Sequence, residues 1–154
     1  MTVESHMTPY DDAYPSCERA VAELRVYPGV TSPESVTRQL GIEPTSAERA
    51  GEVFRNSLGR ERVARLNCWF LSSEGHCPSR DIRRHLDWLL EKLCPTREAL
   101  IALQEWPGIR MAIYCIWWSA QGGGGPVLWP EQMSKLGELN LECGFELSFY
   151  GDND

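Results

Sequence analysis

Apolar residues along this chain switch repeatedly between two spacings, and each switch marks an element. Ala22, Leu24 and Val26 alternate with polar neighbours, the spacing of a half-buried strand over residues 21–27. Thr31-Ser32-Pro33-Glu34 then opens a helix: Thr31 can cap it, Glu34 stands three residues on, and proline is tolerated in a first turn. Val36 and Leu40 share its buried side, and Gly41 stops it. An extended piece from about Glu48 to Arg55, the turn Asn56-Ser57-Leu58-Gly59 and a return strand from Val63 to Ser72 follow. In the return strand Leu66, Cys68 and Phe70 point one way and Asn67, Trp69 and Leu71 the other. Both faces are largely apolar, which places this strand inside a sheet.

Ser79 opens the strongest helical pattern, in which Ile82, Leu86, Leu89, Leu90 and Leu93 form one apolar stripe. Pro95 ends it, and Thr96 caps a shorter helix through Ala99, Leu100 and Leu103. Met111 to Trp118 is apolar on both sides, as in a central strand, and Gly122–Gly125 reads as a flexible surface loop. Pro130 starts a helix carrying Met133 and Leu136. The last strand sets Leu141, Cys143, Phe145, Leu147 and Phe149 against Glu142, Gly144, Glu146 and Ser148, giving it one wet face.

The resulting order, β-α-β-β-α-α-β-α-β, contains a β-α-β-β-α-β path. It predicts an α+β fold: a ferredoxin-like core with an appended helix and strand, and a mainly antiparallel sheet with helices on one face. Residues 1–18 read as a flexible tail, 19–151 as a single domain and 152–154 as a C-terminal tail.

Composition narrows the class. The chain has 154 residues, 42% of them hydrophobic and 24% charged, which suits one globular domain with a real core. Its longest apolar run is too short to cross a bilayer, and no secretory pattern stands at the N-terminus, so a cytoplasmic address is expected. The six cysteines are scattered without a C-x-x-C pair, which predicts reduced thiols and neither a zinc site nor a cofactor.

Charge is uneven. The net charge is −7, yet residues 49–84 carry +4, leaving −11 on the remainder. The arginines Arg60, Arg62 and Arg65 on the return strand and Arg80, Arg83 and Arg84 at the helix start are therefore candidate anion ligands, since a guanidinium can hold carboxylate or phosphate bidentately. The bland alternative is a solvated face neutralised by neighbouring acids.

Other chemistry falls short. The residues after the Gly122–Gly125 run are Pro126, Val127 and Leu128, where a phosphate loop needs lysine and Ser/Thr. Cys77 with His76 or His85 would need to converge in space to act as a nucleophile, and His85 reads as a partly exposed helix residue. Glu142 and Glu146 lie four residues apart on one strand face, roughly 13 Å by strand rise, and read as solvated acids guarding an edge.

Six tryptophans are the unusual feature. Trp117 and Trp118 are adjacent, so they must face opposite sides of the sheet. One enters the core, while the other, with Tyr114 and Trp69, can form an aromatic patch on the far face. Such a patch suits protein contact, and a homodimer burying the open sheet face is the preferred version. Stacking of single-stranded RNA is the weaker reading, because the chain is acidic and lacks a Gly-aromatic RNA motif. The overall expectation is a non-enzymatic module that binds a protein partner or itself. The alternative is a small ligand binder or enzyme with an arginine-lined pocket.

Several of these features together resemble the bacterial domain-of-unknown-function family DUF4279. They are Thr31-x-x-Glu34, Gln39-Leu40-Gly41-Ile42-Glu43-Pro44, Ala50-Gly51-Glu52, Trp69-Phe70-Leu71-Ser72-Ser73, His85-Leu86 with Leu89-Leu90, and the strand from Leu139 to Tyr150. The resemblance spans about residues 20–151. It implies a one-domain bacterial protein with no catalytic residue assigned, and an immunity-type role follows from it by analogy alone.

Overall fold

The apolar alternation that opens the chain grows into an eleven-residue strand, β1 (Cys17–Tyr27), at the centre of the sheet. The structure, a computed structural model, describes residues 7–149, so the expected C-terminal tail and the first six residues lie outside it. After β1 come α1 (Pro33–Leu40), β2 (Ser46–Glu48), β3 (Val53–Arg55), β4 (Glu61–Val63) and β5 (Cys68–Ser72). Next are α2 (Ile82–Leu93), a single 3-10 turn, α3 (Arg97–Gln104), β6 (Arg110–Ser119), α4 (Pro130–Glu138) and β7 (Cys143–Phe149).

The main sheet has the order β2-β5-β1-β6-β7. Its pairings are antiparallel except β6–β7, which is parallel and bridged by α4. This is the expected α+β arrangement with a mainly antiparallel sheet. Ala20, Ala22, Leu24 and Val26 of β1, Ile113, Cys115 and Trp117 of β6, and Trp69 and Leu71 of β5 face one side. There they pack with Leu86, Leu89, Leu90 and Leu93 of α2.

Local differences from the sequence reading have physical causes. The expected strand pair over 48–72 splits, and β3 and β4 form a separate two-stranded hairpin. Gly51 turns with φ +89°, and its N–H donates to the Ala64 carbonyl, closing the hairpin base before the main sheet resumes. Asn67 pins that base, accepting from Ala50 N–H at 2.9 Å and donating to the Gly29 carbonyl at 2.8 Å. The cap of α2 is Asp81, whose carboxylate takes the Arg83 N–H, and Ser79 instead accepts from Asp81 N–H. Ser32, not Thr31, stands at the start of α1.

The expected N-terminal tail is also corrected over its described part. Residues 17 and 18 already belong to β1, and residues 8–14 form a strap across α2 and α4. The Thr8 and Pro9 carbonyls accept from Arg83, Asp11 N–H donates to Asp81, and Tyr10 bonds Asp87 while packing on Trp129 at 4.5 Å. The glycine loop is tied to the same region, because Tyr14 Oη donates to the Gly125 carbonyl at 2.8 Å and Ser119 Oγ to that of Gly123.

The open face of the sheet carries Tyr27, Phe70, Tyr114 and Trp118, and arginines lie over three of these rings. Arg25 sits 4.3 Å above Tyr114, Arg19 4.8 Å above Trp118 and Arg110 5.9 Å from Tyr27. Arg25 bonds Glu23 and grips Glu146 bidentately at 2.6 and 3.1 Å, and Arg19 pairs with Glu74. Tyr114 can lie down only because its strand neighbour is Gly144, where an added Cβ would stand 2.7 Å from the ring. Gly144→Ala should therefore lower the melting temperature by displacing Tyr114 and Arg25. Gly137→Ala, at an exposed helical site with open space around it, should stabilise by about 0.5–1 kcal/mol; paired thermal melts check both signs.

Candidate functional site

The six candidate arginines do not converge. Arg60, Arg62 and Arg65 are exposed on the β3–β4 hairpin and the link to β5, and none has an ion-pair partner among the described residues. Arg80, Arg83 and Arg84 come after the far end of β5, at the start of α2. Arg83 is only 2% exposed, and its donors are all engaged. Nε and Nη2 donate to Asp81 at 2.9 and 2.7 Å, Nη1 to the Thr8 carbonyl and hydroxyl, and Nη2 also to the Pro9 carbonyl. A guanidinium has five N–H groups, so none is left for an anion. Burial pushes the Asp81 carboxyl up, but the bonds from Arg83 and the Asp11 N–H outweigh it and hold it below its usual value. Arg84 pairs with Asp12 and lies 3.8 Å over Tyr10.

The aromatic candidates separate by face. Trp69 is fully buried and its Nε1–H donates to Thr37 Oγ1 at 2.9 Å, so it belongs to the core and not to a far-face patch. Its β1 partner Val26 is a core residue, which fixes its side of the sheet. Trp117 is also in the core, 2% exposed, while Trp118 and Tyr114 lie on the open face beneath Arg19 and Arg25.

No nucleophile is assembled around Cys77. Its thiol is pushed up by burial and faces the Arg84 carbonyl, and His76 stacks on Trp88 at 4.7 Å. His85 is not partly exposed: at 2% exposure it is sealed between Ser73 and the Ser79 carbonyl, each at 2.7 Å. A carbonyl only accepts, so Nε2 carries the proton and Nδ1 accepts from Ser73, whose oxygen takes the Ala22 N–H. Ser73 has no exposed surface, so this Ser–His contact is a brace between β1, β5 and α2. A cleft of about 790 Å³ lies between the α1–β2 loop and α2, lined by Ile42, Glu43, Pro44, Trp88, Glu91 and Lys92.

Exposed apolar side chains gather in two places, around the β3–β4 hairpin (Val53, Leu58, Val63 and Leu66) and along β7, which the sequence reading left out of its candidate set. The outer edge of β7 pairs with no strand among the described residues, and Phe145, Leu147 and Phe149 are 46%, 62% and 51% exposed. Register explains this. These side chains stand beside Cys115, Trp117 and Ser119 on the helix side, but the core takes in Leu141 and Cys143 and not the residues beyond them. The expected apolar face is real, with Leu141 buried, Cys143 on the core and Phe149 beside Gly122, yet its outer residues stay half exposed, while the expected wet face is where Glu146 holds Arg25. The clean alternation of Phe145, Leu147 and Phe149 at the end of the chain was the available signal.

The family model for the domain of unknown function DUF4279 matches residues 17–150, and the chain belongs to that family. The match begins at the first residue of β1 and leaves the strap outside it. No curated protein and no solved structure matches the chain. Among the described residues no helix is long and apolar enough to cross a membrane.

Two buried groups give predictions. Arg83→Met strands the Asp81 carboxylate and should cost about 3–5 kcal/mol in urea unfolding, whereas Arg84→Met, at an exposed pair, should change little. His85 is held below its ordinary pKa of 6.5 by burial, so below that pH the unfolded chain takes up a proton the folded chain refuses. Wild-type stability should fall as pH drops from about 7 to 5, and His85→Gln should flatten that slope in urea midpoints measured across the range.

Proposed function

We propose that this chain is a non-enzymatic protein-binding module of the bacterial cytoplasm, built on a ferredoxin-like core and binding through β7. One observation carries the reading: a seven-residue strand at the sheet edge presents three large, half-exposed apolar side chains beside a backbone with no outer strand among the described residues. The order β2-β5-β1-β6 with antiparallel neighbours supports the ferredoxin-like core, and α4 with β7 is the appended unit. In this reading the open sheet face is not the contact surface, because its ring faces already carry arginines. The hairpin arginines Arg60, Arg62 and Arg65 remain available to steer an acidic partner. The cleft at Trp88 favours a second reading, a small-ligand site, with Lys92 lying 5.0 Å over the indole.

A photo-crosslinking residue at position 147 should give protein adducts in cells of the native host, and one at Val30, which is fully exposed, should give few. Equal yields at the two positions would remove the reading.

A further inference from the structure

The occupant of β7 follows from the strand's own pattern. The Glu142 carbonyl accepts from Ile113 N–H, so it faces β6. Alternation along a strand then turns the backbone groups of Phe145, Leu147 and Phe149 outward. The same three residues carry the exposed apolar side chains, all on the helix side of the sheet. We propose that β7 pairs antiparallel with β7 of a second copy, about a two-fold axis at Leu147, making one continuous sheet across two chains. The proposal rests on the reading of β7 as the binding edge and adds the partner and the register.

Self-pairing fits the residues. With Leu147 at the axis, Phe145 stands opposite Phe149 of the second copy and Leu147 opposite its own equivalent, so the apolar side chains of both copies meet on one face. Glu146 stands opposite Ser148 of the second copy. The alternative axis at Glu146 also keeps the faces matched, but it sets two carboxylates directly opposite, an arrangement that destabilises a strand pair. With the axis at Leu147 no two like charges stand directly opposite, because each Glu146 faces the neutral Ser148 of the other copy. Three large side chains, each about half exposed, offer on the order of 300 Å² of apolar surface per copy before the backbone edge is counted. That is about 600 Å² for the pair, in the range of weak, transient contacts, and it predicts a dimer that dissociates on dilution. Each chain carries a net −7, so added salt should tighten the pair.

Sedimentation equilibrium of the full 154-residue chain tests this. The wild type should move from the chain mass towards twice that mass as concentration rises. Leu147→Glu should stay at the chain mass, with an unchanged melting temperature when both proteins are dilute, because Leu147 is 62% exposed in the single chain. Register is read by cysteine pairing. Directly opposed residues in a hydrogen-bonded antiparallel pair lie about 5.5 Å apart between Cα atoms, within disulfide reach. With oxidised glutathione, the double variant Leu147→Cys, Cys143→Ser should form a linked dimer and Ser148→Cys, Cys143→Ser should not. A wild type monomeric at every concentration, a Leu147→Glu variant that still dimerises, or equal linking by both cysteine variants overturns the proposal. The first outcome together with protein adducts at position 147 would leave β7 as a binding edge with a different partner; without adducts, both readings fall.

Discussion

The Arg83–Asp81 pair is the contact from which the rest of the helical layer takes its position. A guanidinium at 2% exposure has to be satisfied on every N–H, and the chain does this by bringing Asp81 and the strap to one point. Asp81 supplies two acceptor oxygens and at the same time caps α2. The strap supplies the carbonyls of Thr8 and Pro9. The Arg83 carbonyl in turn accepts from Gln132 at 3.0 Å, which anchors α4. The buried charge thus fixes the start of the main helix and the approach of the N-terminal segment, while the backbone of the same residue anchors the helix that leads into β7.

Much of the fold was legible because burial leaves a periodic trace. The stripe from Ile82 to Leu93 and the two-faced apolar run from Met111 to Trp118 are such traces, and both elements stand where that pattern puts them. The strap leaves none, because it is held largely through its own backbone groups, which every residue has. Pro9, Asp11, Asp12 and Pro15 resemble linker composition while the segment is held from outside by Arg83, Asp81 and Trp129. The break at Gly51 is equally hidden. A glycine between two alternating stretches reads as part of a strand until its positive φ is known.

The candidate site was half legible for a different reason. Arginine and aromatic side chains mark binding surfaces in many proteins, but here most of them recognise each other. Arg25 with Tyr114 and Glu146, Arg19 with Trp118 and Glu74, and Arg83 with Trp129 and Asp81 are internal matches. Composition cannot distinguish a group kept for a partner from one already partnered within the chain. The alternation of β7 carried its apolar side correctly but not the absence of anything above it. Whether a face is covered depends on where α4 lands, and α4 is directed by Gln132 and Asp87.

The two ends of the sheet are unequal. At one end β2 has three residues, with Glu48 among them, too short to template another strand. At the other, β7 has seven and pairs with no outer strand among the described residues. A sheet with two open edges can grow without limit, as fibres do. If β7 pairs with a second copy as proposed, that contact uses up the one long edge of the main sheet among the described residues, and the short β2 end offers little to propagate it. The brevity of β2 would then act as a terminator, so that an apolar edge at the opposite end need not seed a filament.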